Sequence, residues 1–315
     1  MLNGDQTRGL LRFNDGWVVD FRTASIIKCQ PQHRISFSTK VPWCPFATDG
    51  TAQIQDFIEA FTAFVLSGGQ SVKGTDLEKM LRELRSAMPR GLYAVFWAIF
   101  EDDDVTLWIL RQICRGCAGF ELLEEFLLFF DERGKNGKGT ILNLLRLALG
   151  EYYCTCPYRG ALADTGGSGN NDKLAKCQGK RVVSCNEAFG VGDKLTQFEP
   201  RTIKTLIGLD DPVETMQKYK APLEWRGQAL LILSTNVLPM MPDDDGGLMT
   251  RTSLVRFPFE FVPKPEDHED VPEHPPQPGT RWQDPSIKHL RRWSNLMDGS
   301  CHRLPGCGGC SGTSS

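Results

Sequence analysis

Two lysines and three glycines crowd the run Gly134-Lys-Asn-Gly-Lys-Gly-Thr140, which follows five apolar residues (Phe126–Phe130) after the short link Asp131-Glu-Arg133. Backbone N–H groups of such a loop, and of a helix beginning at its end, can face a phosphate while Lys138 adds a point charge. Against the pattern G-x-x-x-x-G-K-[ST], Gly137 and Lys138 match. Glu132 stands where the first glycine is expected, and Gly139 stands where a magnesium-binding hydroxyl is expected, with Thr140 one residue later. By itself the loop is also compatible with a chance Gly-Lys turn.

Three later residues could complete a nucleotide-hydrolysing site. Glu187 follows the apolar run Arg181-Val-Val-Ser-Cys185, where a carboxylate could lie near a magnesium ion and polarise a water. Asn236 ends Leu230-Leu-Ile-Leu-Ser-Thr235 and could hold that water or sense a γ-phosphate. Arg251 precedes Thr252–Phe259 after an acidic, glycine-containing loop, and could stabilise charge on a neighbouring chain's phosphate. Each has a plainer alternative: an ordinary acid at a strand end, a turn-forming Asn, and a surface Arg. Lys218 and Lys220 flank Tyr219 two residues apart, a spacing that turns both lysines to one face of a hairpin. They could contact successive phosphates of a nucleic-acid strand or simply be solvated.

These residues need strands to end beside them. Phe126–Phe130, Arg181–Cys185, Ala229–Thr235 and Thr252–Phe259 read as buried strands, with helices at Ile141–Leu149 and near Pro200–Ile207. The alternation predicts an α/β fold with a mostly parallel sheet flanked by helices. Upstream, Asn14-Asp-Gly16 between apolar residues signals a hairpin, followed by a strand at Trp17–Phe21. Helical spacing covers Ile54–Val65, a helix opened by a capping box of Thr75 and Glu78, Leu92–Phe100 and Val105–Ile113. The acid run Glu101–Asp104 reads as a solvated loop and helix N-cap. The resulting division is an accessory N-terminal domain at 1–115, an α/β domain at 116–262, and a Pro- and acid-rich linker with a low-complexity tail at 263–315. Ser286–Met297 reads as a short helix within that last part.

The 315 residues carry 36 basic and 39 acidic side chains, net charge −3, so any nucleic-acid contact must be local. No apolar run reaches the ~18 residues of a membrane span, and the first residues do not read as a signal peptide. With 11 scattered cysteines, a soluble protein in a reduced intracellular compartment is expected. Cys114 and Cys117 read as core thiols, and the group Cys301, His302, Cys307 and Cys310 has ligand types suited to zinc but lies in a Gly/Ser-rich stretch.

Taken in order, NGKGT, RVVSCNE, KTLIGLDDPVETMQKYK, LLILSTN and the Arg251 segment ending in FPFEF resemble a superfamily 3 helicase. The likeness is greatest to the phage, plasmid and poxvirus-type primase-helicases, and specifically to their C-terminal helicase part. The resemblance spans roughly residues 10–262, including an Asn14–Asp20 opening similar to that of the family's accessory domain. It implies a P-loop AAA+ type fold, ATP and Mg2+ as cofactors, and nucleotide contacts from Gly134, Asn136, Gly137, Lys138, Gly139 and Thr140. It further implies a metal and water role for Glu187, with Thr140 on the magnesium, sensing by Asn236, and a trans finger at Arg251. Lys204, Lys218 and Lys220 would contact single-stranded DNA in the pore of a homo-oligomeric ring, a hexamer by resemblance. No primase-like segment precedes residue 1, and the C-terminal helical region of a full helicase is missing or replaced after about residue 284, so the expectation is either a fragment or a chain whose partners, a separate primase among them, come from other polypeptides. The expected activity is an ATP-dependent DNA helicase motor in replication. A catalytically impaired nucleotide-binding scaffold and an AAA+ protein remodeller are the alternatives.

Overall fold

The computed structural model describes residues 7–23, 25–43, 51–87, 92–119, 124–157, 172–186, 200–208, 212–215, 221, 223–238, 246–264 and 278–284. Those up to Gln283 belong to one compact unit. A second, Asp284–Ser315, lies outside the described residues beyond its first. With it go the expected helix at 286–297 and the terminal Cys/His group.

The chain opens with an antiparallel sheet of β1 (Leu10–Arg12), β2 (Trp17–Asp20) and β3 (Ser25–Lys28). Gly16 takes φ +83° in the first turn, which explains the glycine of the Asn-Asp-Gly signal. Among the described residues four α-helices follow: α1 (Thr51–Leu66), α2 (Asp76–Ala87), α3 (Leu92–Phe100) and α4 (Asp103–Ala118). The expected capping box of α2 is replaced by a variant one residue wider. Glu78 accepts the N–H of Gly74 at 2.7 Å, while the Thr75 hydroxyl donates back to the Val72 carbonyl at 2.6 Å.

The acid run before α4 is only partly as expected. Asp102 caps the helix, accepting the N–H groups of Asp104 and Val105. The next acid is not solvated: Asp103 is buried and paired with the Arg85 guanidinium and the Tyr93 hydroxyl. Asp104 accepts the Val72 N–H at 2.7 Å. These carboxylates therefore fasten α2 and α3 to α4.

The central sheet has five parallel strands in the order β10-β4-β9-β6-β5. They are β4 (Phe126–Phe130), β5 (Tyr153–Thr155), β6 (Val182–Cys185), β9 (Leu230–Thr235) and β10 (Thr252–Arg256). The fold is α/β and P-loop-like, as the alternation of strands and helices predicted. β5, Tyr-Cys-Thr, is too short and too unlike the Val/Leu strands to have stood out in the sequence. Helices α5 (Lys138–Leu149), α6 (Asp172–Ala175), α7 (Pro200–Ile207) and α8 (Gly246–Thr250) connect the strands. A separate antiparallel pair, β7 (Val213–Thr215) and β8 (Leu223–Trp225), forms the hairpin read from the sequence. Finally β11 (Glu260–Val262) pairs in parallel with β12 (Thr280–Trp282), inside the stretch read as linker.

Alternation along the strands sorts the core into two layers. Leu127, Phe129, Val182, Leu230 and Ile232 face one cluster shared with α3, α4, α5 and the N-terminal hairpin residues Leu10, Leu11 and Val18. Phe126, Leu128, Val183, Leu231 and Leu233 face the other, with Ile203 and Leu206 of α7 and Leu248 of α8. Arg181, 1% exposed, ties the N-terminal strands to the central sheet. Its guanidinium donates to Gln228 and to the carbonyls of Thr7 and Leu10, and only a glycine at 119 leaves it room.

Candidate nucleotide site

The five-residue strand β4 is wholly buried, so its end is held firmly, and the loop Asp131–Gly137 leaves from it. Gly137 caps α5 with φ +94°, and a side chain there would also crowd Ile99 of α3 at 3.1 Å. The other left-handed residue of the turn is Lys135, at φ +57°. Glu132 is exposed and is not among the positive-φ residues, so no glycine is needed where the motif has one.

Asn136, 3% exposed, braces the loop from inside. Its Nδ2 donates to the Asp131 carboxylate and to the Arg133 carbonyl, both at 2.8 Å, and its Oδ1 accepts the Lys138 N–H at 3.3 Å. Lys138, the first residue of α5, is 7% exposed. Its Nζ donates to the carbonyls of Asp131 (3.2 Å) and Thr235 (2.8 Å) and to Asn236 Oδ1. Burial pulls the Lys138 ammonium below its ordinary pKa, and the Asp131 carboxylate opposes that only in part. A desolvated cation held by neutral oxygens would gain from an anion beside it.

The space in front of these groups is a cleft of about 360 Å3, within the ~300–1,000 Å3 typical of small-molecule sites. Gly134, Asn136, Lys138 and Gly139 line it from the loop, and Ser234, Thr235 and Asn236 from the end of β9. Sequences 98 residues apart thus meet through β4 and β9, which are neighbours in the sheet.

Thr140 is half-buried on α5, and the cleft wall takes in Gly139 and Asn143 instead. Asn143, Arg146, Tyr153 and Thr155 complete the wall and were not expected. Spacings of four and seven from Gly139 could have flagged Asn143 and Arg146 as one helix face. Asn186, at the end of β6, also lines the cleft; Glu187 follows it but lies outside the described residues. Among the described residues, no group of three or more His, Cys, Asp and Glu could hold a metal ion.

Arg251 lies at the opposite ends of the strands. Its carbonyl accepts the Phe126 N–H at 2.9 Å, and its guanidinium pairs with Glu124. The length of β4, roughly 16 Å at ~3.3 Å per residue, separates that end from the loop. Arg251 lines a second cleft of about 670 Å3 with Glu124, Arg201, Lys204 and Glu214. Lys204, on α7, thus lines the same cleft as Arg251. Lys218 and Lys220 belong to the β7–β8 connection and lie outside the described residues.

Against this geometry, residues 130–251 match the model of a family of unknown function, DUF5906. The match starts at the last residue of β4 and ends at Arg251, covering less than half of the chain. Over 187 residues the chain is 25% identical to a protein of Acanthamoeba polyphaga mimivirus named "Putative helicase". The chain resembles a viral helicase. That alignment takes in 59% of this chain but only 19% of the mimivirus protein, so the chain spans about a fifth of its relative's length. Solved structures of the NrS-1 C-terminal region are also similar. One is 17% identical with a TM-score of 0.39, covering 52% of this chain and 36% of that one. Another is 14% identical with a TM-score of 0.43, covering 66% and 45%. No helix of the described residues is long and apolar enough to cross a membrane.

Proposed function

We propose that this chain is an ATP-dependent DNA helicase motor of the superfamily 3, AAA+ type, acting in replication on single-stranded DNA. The observation that carries this reading is the meeting of Lys138 and Asn236 in one cleft at the N-terminus of α5. A lysine and a neutral amide so placed suit a triphosphate: Lys138 would exchange its carbonyl partners for phosphate oxygens, and Asn236 would be released to face the terminal phosphate. The name of the mimivirus relative supports the helicase part of the reading. Mg2+ bound with ATP would neutralise phosphate charge. Glu187, next to Asn186 on the cleft wall, is the proposed residue for orienting the attacking water.

The trans role of Arg251 draws support from its distance. Within one chain it stands at the far ends of the strands, so it would serve a nucleotide held by a neighbouring copy. A closed ring, hexameric in this proposal, satisfies that need for every copy, and the Lys218/Lys220 connection would grip the DNA strand in its pore. Lys138→Ala and Glu187→Gln are each expected to lower DNA-stimulated ATP turnover at least 100-fold in the purified oligomer. Unchanged turnover in both would defeat the proposal.

One observation favours a second reading. The cleft wall passes over Thr140, which leaves Gly139 where a hydroxyl is expected on the metal. A nucleotide-binding scaffold with weak hydrolysis would follow from that. ATP binding with no turnover, with or without single-stranded DNA, would select it.

A further inference from the structure

Four cysteines gather behind the cleft wall, on the face of β5 and β6 turned away from it. Tyr153 and Thr155 of β5 line the cleft, whereas Cys154 and Cys156 alternate to the other side. The register of the two strands sets Thr155 opposite Ser184, and the Cys156 N–H donates to the Ser184 carbonyl at 2.8 Å. Cys156 is thereby placed next to Cys185. The turn after α6, closed by the Cys177 N–H on the Leu174 carbonyl at 2.8 Å, carries Cys177 into the same layer. Cys156, Cys177 and Cys185 are buried together there, and Cys154 packs against them while remaining partly exposed. All four are free thiols. Cys177 is within hydrogen-bonding reach of both Cys154 and Cys156, and Cys156 also reaches Cys185. The sulfurs therefore form a row, Cys154, Cys177, Cys156, Cys185, and no three of them stand as metal ligands.

We propose that Cys154 and Cys177 form a reversible disulfide when a hydroperoxide reaches this row. Cys154 is the member that solvent touches, and Cys177 is the buried thiol within its hydrogen-bonding reach. The Cys154 thiolate attacks one peroxide oxygen, the O–O bond breaks, and the departing oxygen takes up a proton as water or alcohol. Sulfur is left as a sulfenic acid. Cys177 then attacks that sulfur, its proton leaves with the displaced hydroxide as water, and the S–S bond forms. Two electrons pass from the two sulfurs to the peroxide. The hydrogen bond from Cys177, aided by Lys180 and Lys176, lowers the Cys154 pKa against the opposing effects of burial and the Cys156 sulfur. This inference stands apart from the nucleotide reading, because it depends only on the thiols.

The test exposes the full-length protein to millimolar hydrogen peroxide, alkylates remaining thiols, and maps linked peptides by mass spectrometry. A Cys154–Cys177 link that forms in the wild type and disappears with dithiothreitol is expected. Cys177→Ser should leave Cys154 trapped by dimedone as the sulfenic acid, and Cys154→Ser should slow all oxidation of the row at least tenfold. A circular dichroism spectrum matching the wild type would show that each variant is folded. The proposal is overturned if Cys154 and Cys177 remain fully alkylatable, or if the link forms between other cysteines.

Discussion

At the scale of single residues, the loop depends on Asn136 as much as on its glycines. A buried amide that satisfies Asp131, Arg133 and Lys138 together fixes the loop's shape before any ligand arrives. Removing it takes the donor from a part-buried carboxylate and from a part-buried carbonyl bond, each worth about 0.5–1.5 kcal/mol. Asn136→Ala should therefore weaken binding of a fluorescent ATP analogue at least tenfold while circular dichroism remains unchanged. Binding within twofold of the wild type would show that the brace is dispensable. Lys138 presents the complementary case. Its partners are carbonyls and an amide oxygen, so the charge is desolvated without being neutralised by direct pairing.

At the scale of elements, the loop is clamped from outside by the pair β11–β12. The Phe261 N–H donates to the Lys135 carbonyl at 2.8 Å, and Arg133 donates to the Pro258 carbonyl at 3.2 Å. Arg281 of β12 makes two 2.6 Å hydrogen bonds to Glu101, before α4, and lies over the Phe259 ring at 3.8 Å. That pairing holds the Glu101 carboxyl below its ordinary value of 4.5. With the folded pKa depressed, its stabilisation is present above pH 4.5 and is lost as pH falls through the folded value. Both side chains are about a third exposed, so the whole contribution is under about 1 kcal/mol. The expected effect is local. Glu101→Gln should speed hydrogen exchange at the Phe261 amide about threefold at pH 7, and the difference from wild type should shrink towards pH 3. Equal exchange in both proteins at pH 7 would show that the clamp does not depend on this ion pair.

At the scale of the whole molecule, the sheet separates Lys138 and Arg251 by the length of its strands. If the two act on one nucleotide, they come from different copies. Mixing Lys138→Ala with Arg251→Ala chains should then restore a measurable share of turnover, because some interfaces receive an intact lysine from one copy and an intact arginine from the other. No recovery in mixed oligomers of confirmed composition would exclude that arrangement. Under the proposed ring, the neighbour would approach the cleft that Glu124, Arg251, Arg201 and Lys204 line.

Much of this was legible in the chain because it is local. Five consecutive apolar residues before Asp131, a glycine at the helix start and a lysine after it encode a strand, a turn and a helix regardless of what surrounds them. The same holds for the runs ending at Cys185 and Thr235, whose burial on both faces requires continuous hydrophobicity. Strand order was not legible. Placing β9 beside β4 is what joins Asn236 to Lys138, and the parallel register of β10 on β4, Thr252 opposite Phe126, is what fixes Arg251 beside Glu124, since pairing partners are chosen by packing over long sequence separations. Nor could composition reveal that Asp103 is buried, or that Thr280–Trp282 adds a strand. Each depends on a partner, Arg85 and β11 respectively, that only the folded chain brings near. The sequence determined which groups could hold a phosphate; the tertiary structure decided which share a cleft, because side-chain chemistry is written locally whereas adjacency is settled by how the sheet packs.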